Sequence, residues 1–317
     1  MKTNSAEEFP HFNQAVPKDG YVWWYVDAVS DDGEQALTMI AFVGSVFSPY
    51  YAWARSRGPT EPLDHCALNV ALYRRRGKRW AMTERSRSAV VRTATSFQIG
   101  PSSLIWDGSS LSYDIDEWSV PVPTRIRGQV RIWPTAITEH EFSLDSGGHH
   151  RWRPIAPCAR VEVQLGNPSL RWSGDAYWDS NAGTRPLEAD FVSWNWSRTS
   201  QPEGASILYE GIRRSGDSFC LALHADPNGG IEPFEPPEAA ALSTTRWWRI
   251  ARSTRADGGQ ARVLNTLEDT PFYSRSLLSK SLRDQPVTMV HESLSLDRFS
   301  SAWVRCLLPF RMPRRFL

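Results

Sequence analysis

The stretch YVWWYVDAVSDDGEQALTMIAFVG, residues 21 to 44, holds two runs of aromatic and apolar side chains on either side of a polar break, DDGE at 31 to 34. Residues of the first kind fit a pleated, half-buried surface, whereas Asp and Gly mark places where a chain turns back. The pattern predicts two strands and a turn, and it recurs along the whole chain. Examples are CALNVALYRR from residue 66, SLSYDIDEW from 110, RIRGQVRIWP from 125, ARVEVQL from 159, LRWSGDAYWD from 170, FVSWNWSR from 191 and FCLALHAD from 219. Many short runs separated by Gly, Pro, Asn and Asp predict an all-β protein built as barrels or sandwiches, with few helices. One helix is expected over Pro49–Arg57, in PYYAWARSR, whose spacing suits a helical turn better than a strand. A seam is expected in NAGTRP, 181 to 186, giving an N-terminal domain over 1–180 and a C-terminal domain over 181–317.

Composition narrows the classes. The chain has 317 residues, 41% of them hydrophobic and 22% charged, which is enough to build sizeable cores. Its net charge of +1 gives no reason to expect nucleic acid as a partner. Fifteen tryptophans are the unusual feature, and they suit a core, an aromatic-lined cavity or a membrane interface. Cys66, Cys158, Cys220 and Cys306 form no CxxC pair or zinc spacing, which suggests free thiols in a reducing cytoplasm. The start MKTNSAEEFPHFNQ lacks the apolar core of a secretory signal, and ALTMIAFVGSVF is too short to span a bilayer. The closing LLPFRMPRRFL places Arg311, Arg314 and Arg315 among apolar residues. That mixture suits peripheral contact with an anionic membrane, or equally a last strand with solvated charges.

The common catalytic and nucleotide-binding signatures are missing, and none of the seven histidines sits in a metal-like cluster with carboxylates. A metal enzyme is therefore not expected. Two segments stand out: HHRWRP at 149–154 and AYWD at 176–179. On extended strands His150 and Trp152 share a face, as do Tyr177 and Asp179, and a hairpin between the segments would bring the pairs together. By pattern alone, four such residues are ordinary structural side chains as readily as a site.

Three long segments carry a resemblance. GYVWWYVDAVSDDGEQALTMIAFVGSVFSPYYAWARSRG, HCALNVALYRRRGKRWAMTER and GDAYWDSNAGTRPLEADFVSWNWSR resemble the carotenoid 1,2-hydratases of phototrophic bacteria, also called hydroxyneurosporene synthases, over nearly the whole chain. The resemblance implies two lipocalin-like β-barrel or sandwich domains. It implies addition of water to the terminal C1–C2 double bond of acyclic carotenes such as neurosporene or lycopene, without a cofactor. It also implies a site made of His150, Trp152, Tyr177 and Asp179. An enzyme acting on a bilayer-dwelling polyene is expected at the inner membrane surface on the cytoplasmic side.

An isolated alkene must be protonated before water can attack it. A carboxyl held out of water keeps its proton, which makes Asp179 the expected donor to C2. Aromatic faces shelter the resulting cation at C1, a role that suits Trp152 and Tyr177. His150 then positions or deprotonates the attacking water, although the reverse assignment, with an imidazolium as donor, stays open. Two rival readings fit the composition. One is a lipocalin-like carrier that binds an apolar molecule unchanged. The other is a carbohydrate-active protein using acids such as Asp114, Asp116 and Asp175.

Overall fold

Side-chain alternation along extended runs dictates sheets, and the chain folds almost entirely into antiparallel ones. A computed structural model describes residues 9–75 and 77–315. The chain divides into two units. The first comprises Met1–Phe142, His149–Pro186 and Leu307–Leu317, and the second comprises Ser143–Gly148 and Leu187–Cys306.

In the first unit the strands are β1 (Tyr21–Ser30), β2 (Gln35–Val43), β3 (Cys66–Arg74), β4 (Lys78–Arg85), β5 (Val90–Arg92), β6 (Ser96–Ile99), β7 (Ser102–Trp106), β8 (Leu111–Trp118) and β9 (Arg125–Pro134). After the two-residue β10 (Phe142–Ser143) come the long strands β11 (His150–Asn167) and β12 (Ser169–Gly183). Their order is β4-β3-β2-β1-β12-β11-β9-β8-β7-β6-β5. The sheet curls until β4 meets β8, where Arg85 Nη2 donates to Glu117 Oε2 at 2.8 Å and both side chains are buried. Ser102 Oγ donates to the other oxygen of Glu117 at 2.8 Å. A buried ion pair needs such extra partners to offset its lost hydration.

The curled sheet encloses one apolar core, with Val22, Trp24, Val26 and Ala28 from β1 and Ala176 and Trp178 from β12. Trp178 packs there against Phe9 and Trp106, with ring centroids 5.5 and 5.7 Å away. The alternate residues of β1, Tyr21, Trp23, Tyr25 and Asp27, point to the opposite face and are buried as well. A strand buried on both faces reads as a continuous apolar run, and YVWWYVDAVS is nearly that.

The expected helix is α1 (Pro49–Arg55). Proline fills its first position, and Ser48 caps it by accepting from the amides of Tyr50 and Tyr51, each at 3.1 Å.

The second unit holds β13 (Phe191–Gln201), β14 (Gly204–Arg213), β15 (Ser218–Ala225), β16 (Ile231–Pro233), β17 (Ala239–Leu242), β18 (Arg252–Arg255), β19 (Ala261–Asp269), β20 (Tyr273–Leu282) and β21 (Gln285–Ser295). The short helices α2 (Leu187–Asp190), α3 (Leu296–Ser300) and α4 (Ala302–Leu307) flank them. Seven strands form one sheet, ordered β16-β15-β14-β13-β21-β20-β19, and β17 pairs with β18. Leu208, Ala222, Leu282, Val287 and Met289 form a small apolar cluster.

Beside that cluster the interior is polar. Arg252 Nη1 donates to Ser276 Oγ at 2.8 Å and to Thr266 Oγ1 at 2.9 Å, and Lys280 Nζ donates to Thr254 Oγ1 at 2.9 Å. Burial pushes the Lys280 amine down to about 7. Burial, with the charges of Lys280 and Arg252 nearby, pushes His291 down to about 3.

The chain closes on β22 (Arg314–Arg315), which runs parallel to β4. Arg314 reaches the Glu84 carboxylate and donates to Asp64 O at 3.0 Å, and the Arg311 guanidinium lies 4.6 Å from the Trp80 ring centroid. Two of the three arginines considered for membrane contact are thus engaged within the fold. Phe316 and Leu317 of the same stretch, like residues 1–8 at the other end, lie outside the described residues. Among the described residues no helix is long and apolar enough to cross a membrane, and the four cysteines form no disulfide.

Candidate active site

Strands β11 and β12 form one long hairpin whose turn lies between Gly166 and Ser169. Its register pairs His150 with Gly183 and Trp152 with Asn181, before the ladder shifts at Arg153–Ala156 and again at Ala156–Ala159. On its other side β12 pairs with β1, setting Tyr177 opposite Asp27, Asp179 opposite Tyr25, Asn181 opposite Trp23 and Gly183 opposite Tyr21. Period-two alternation therefore places His150, Trp152, Tyr177 and Asp179 on one face, away from the apolar core that holds Trp178.

On that face the side chains converge. Trp152 donates its indole N–H to Asp179 Oδ2 at 2.9 Å, and the Tyr177 hydroxyl donates to the same oxygen at 2.8 Å. His150, Trp152 and Tyr177 have no exposed surface and Asp179 has 4%. His150 Nδ1 lies 2.8 Å from the Tyr21 hydroxyl, so the two share a hydrogen bond. Trp152, Tyr177 and Asp179 thus form one bonded set, with His150 on the same face. Its ladder partner Gly183 is four residues beyond Asp179 along β12.

Aromatic rings surround these polar atoms. Tyr21 stacks on Trp23 at 5.0 Å and on His150 at 5.9 Å, Tyr25 meets Tyr177 edge-on at 6.2 Å, and Phe142 lies 5.6 Å from Trp152. Phe42, opposite Trp23 on β2, and Phe47 pack against Trp23 at 5.9 and 6.4 Å. Gly183 makes this arrangement possible, since a Cβ there would collide with the Tyr21 ring. Alternation divides the aromatic run VWWYV at 22–26: Trp23 and Tyr25 join this face while Trp24 serves the core. The aromatic run FVSWNWSR lies in β13 of the second unit.

Two side chains of this face were not picked out from the sequence: Tyr21 and Asp27. Asp27 is a second fully buried carboxyl, one diagonal ladder step from Asp179. Its sequence signal was a lone acid inside an otherwise apolar strand. A hollow of about 400 Å³ lined by Gln164, Leu165, Gly166 and Ser169–Arg171 lies at the turn end of the hairpin, far along it from His150. Of the acids considered for carbohydrate work, Asp116 pairs with Arg125 and Asp175 with Arg160 at 2.7 Å.

A carboxyl held by two donors, a histidine held by a phenol and a wall of rings can protonate an apolar substrate and shelter a carbocation. Comparison with known proteins places the chain in a family. Residues 39–317 match the carotenoid hydratase CrtC family. The chain is 54% identical over 306 residues to the acyclic carotenoid 1,2-hydratase of Thiocapsa roseopersicina, covering 96% of this chain and 76% of that one. It is 40% identical over 279 residues to the acyclic carotenoid 1,2-hydratase of Cereibacter sphaeroides, covering 87% and 98% of the two chains.

Among solved structures, an AttH protein of Nitrosomonas europaea superposes with a TM-score of 0.60 at 13% identity, over 93% of this chain and 98% of that one. Kievitone hydratase of Nectria haematococca gives 0.52 at 11%, over 93% and 96%. These likenesses bear on fold alone, and they agree with the all-β class expected from the strand pattern and with the lipocalin-like architecture that the family resemblance implies. By sequence identity across almost its full length, the chain belongs to the CrtC family of carotenoid hydratases.

Proposed function

We propose that the chain adds water across the terminal C1–C2 double bond of an acyclic carotene, lycopene or neurosporene, to give the 1-hydroxy product. Its relatives' activity as acyclic carotenoid 1,2-hydratases supports this reading. The observation that carries the mechanism is the convergence of Trp152 and Tyr177 on one buried carboxylate oxygen of Asp179. Both donors occupy Oδ2, so the proton of a neutral Asp179 sits on Oδ1. Burial of a second carboxyl, Asp27, one diagonal step away favours keeping at least one of the pair protonated.

In the proposed reaction the Asp179 proton passes to C2 as the π electrons of C1–C2 form the new C–H bond. The tertiary cation left at C1 is stabilised by the faces of the surrounding rings, at roughly 2 kcal/mol for a desolvated contact. Water attacks C1 and loses a proton to His150: in the tautomer whose Nδ1–H donates to the Tyr21 oxygen, Nε2 is the base. Solvent exchange returns that proton to Asp179. Water is the only co-reactant, and no electrons are exchanged with any other molecule.

Product analysis after supplying lycopene and neurosporene separately tests the reading. Wild-type protein should yield a more polar alcohol, and Asp179→Asn should bind carotene without converting it. Recovery of unchanged carotene from the wild type would leave the carrier reading standing. Full activity of Asp179→Asn would move the acid elsewhere.

A further inference from the structure

The loop between β17 and β18, STTRWWRIA at 243–251, turns two tryptophans outward. Trp247 is 75% exposed and Trp248 36% exposed, and Trp303 of α4, 49% exposed, stacks on Trp248 at 5.9 Å. Exposed rings of this size are unfavourable in water unless something else covers them.

Their exposure is built into the loop. Its neck is closed by Thr245 N donating to Ile250 O at 3.1 Å and by Ile250 N donating to Thr245 Oγ1 at 2.9 Å. The amides of Trp247 and Trp248 donate to the Asp269 carboxylate at 2.8 and 3.3 Å. The Arg298 guanidinium binds the carbonyls of Trp248 and Arg249 from the other side. Arg249 takes a left-handed φ of 53°, a conformation the surrounding bonds must impose on a non-glycine residue. The backbone polar groups are satisfied inward, so the indoles are left to project.

The charge around them has one sign in excess. Arg246, 5.3 Å from the Trp247 ring, and Arg249 are exposed beside the indoles, while the Asp269 carboxylate accepts from the two loop amides. Indoles with an apolar body and one polar N–H, set among arginines, fit the boundary of a bilayer carrying anionic headgroups. We propose that the 243–251 loop, with Trp303, docks this protein on an anionic lipid surface. The proposal rests on the hydratase reading only in giving the docking a purpose, because an acyclic carotene dissolves in bilayers. Its evidence is the loop itself.

The test is flotation with carotene-free vesicles of phosphatidylcholine containing one-third phosphatidylglycerol, so its outcome is independent of any hydration. Wild-type protein should float with these vesicles, bind pure phosphatidylcholine far less, and release as salt is raised. Trp247→Ser, and separately the pair Arg246→Gln with Arg249→Gln, should each lower the vesicle-bound to free ratio at least tenfold. Circular dichroism and melting temperature should stay unchanged. Wild-type protein that stays in the soluble fraction, or binding that survives both changes, would overturn the assignment. So would retention on a soluble polyanion as strong as that on vesicles. Hydration of carotene dispersed in detergent micelles, measured in parallel, judges the hydratase reading on its own.

Discussion

Trp152 reaches Asp179 from a ladder position opposite Asn181, so its indole N–H crosses two residues of β12 diagonally to meet the carboxylate at 2.9 Å. A long, rigid side chain with one donor at its far edge is suited to that span. Trp152→Phe keeps a ring against Phe142 but removes the donor, and kcat should fall about 10- to 100-fold with the fold retained. Trp152→Ala should lose more activity and also cost roughly 3–5 kcal/mol of stability, since the residue is fully buried. Steady-state kinetics and urea unfolding of both variants separate the two losses.

The Tyr21 hydroxyl fixes the ring nitrogen of His150 that faces away from its proposed water. Tyr21→Phe preserves the stack on Trp23 and should lower kcat/KM about tenfold. The limb of the pH–rate profile set by His150 should move with it. A merely structural tyrosine would leave that limb in place. Gly183→Ala should reproduce the kinetic change by displacing the same ring.

Arg85 and Glu117 close the first sheet as an almost fully buried pair. Burial raises the Glu117 carboxyl above its usual range, against the pull of Arg85. Glu117→Gln leaves the guanidinium buried without its counter-charge and should cost about 3–5 kcal/mol in chemical denaturation. Replacement of both partners by apolar residues of similar volume should cost much less.

Lys280 is a base whose folded value lies near 7, below its ordinary 10.5, chiefly through burial. Between those values the unfolded chain holds a proton that the folded chain does not, so stability from this group rises as pH rises from about 7 to 10. The stability difference between wild type and Lys280→Met should shift toward the wild type across that window, by on the order of a few kcal/mol at most. Denaturant titrations of both proteins at each pH measure it, and a flat difference would contradict a buried neutral amine.

Much of this was legible in the chain itself. Short alternating runs and turn residues gave the all-β class, because local pattern and sheet formation agree. The helical spacing of PYYAWARSR marked α1 within two residues of its end. The pairs His150/Trp152 and Tyr177/Asp179 were found on one face because i, i+2 spacing needs no knowledge of partners. Tyr21 and Asp27 escaped notice for the opposite reason. Both faces of β1 are buried, so hydrophobicity does not say which residues look toward Asp179, and the ladder that decides it joins segments some 150 positions apart. The polar interior around Lys280 and His291 was invisible too, since lone basic residues on strands ordinarily face solvent.

That double duty of β1 has a consequence for how the protein can vary. Deleting or inserting a single amino acid between positions 21 and 30 would exchange Trp24 for Trp23 and send Asp27 inward among aliphatic neighbours, undoing packing and chemistry in one stroke. Length changes among descendants should therefore collect in the turn at 31–34, where an indel leaves the parity of the strand untouched.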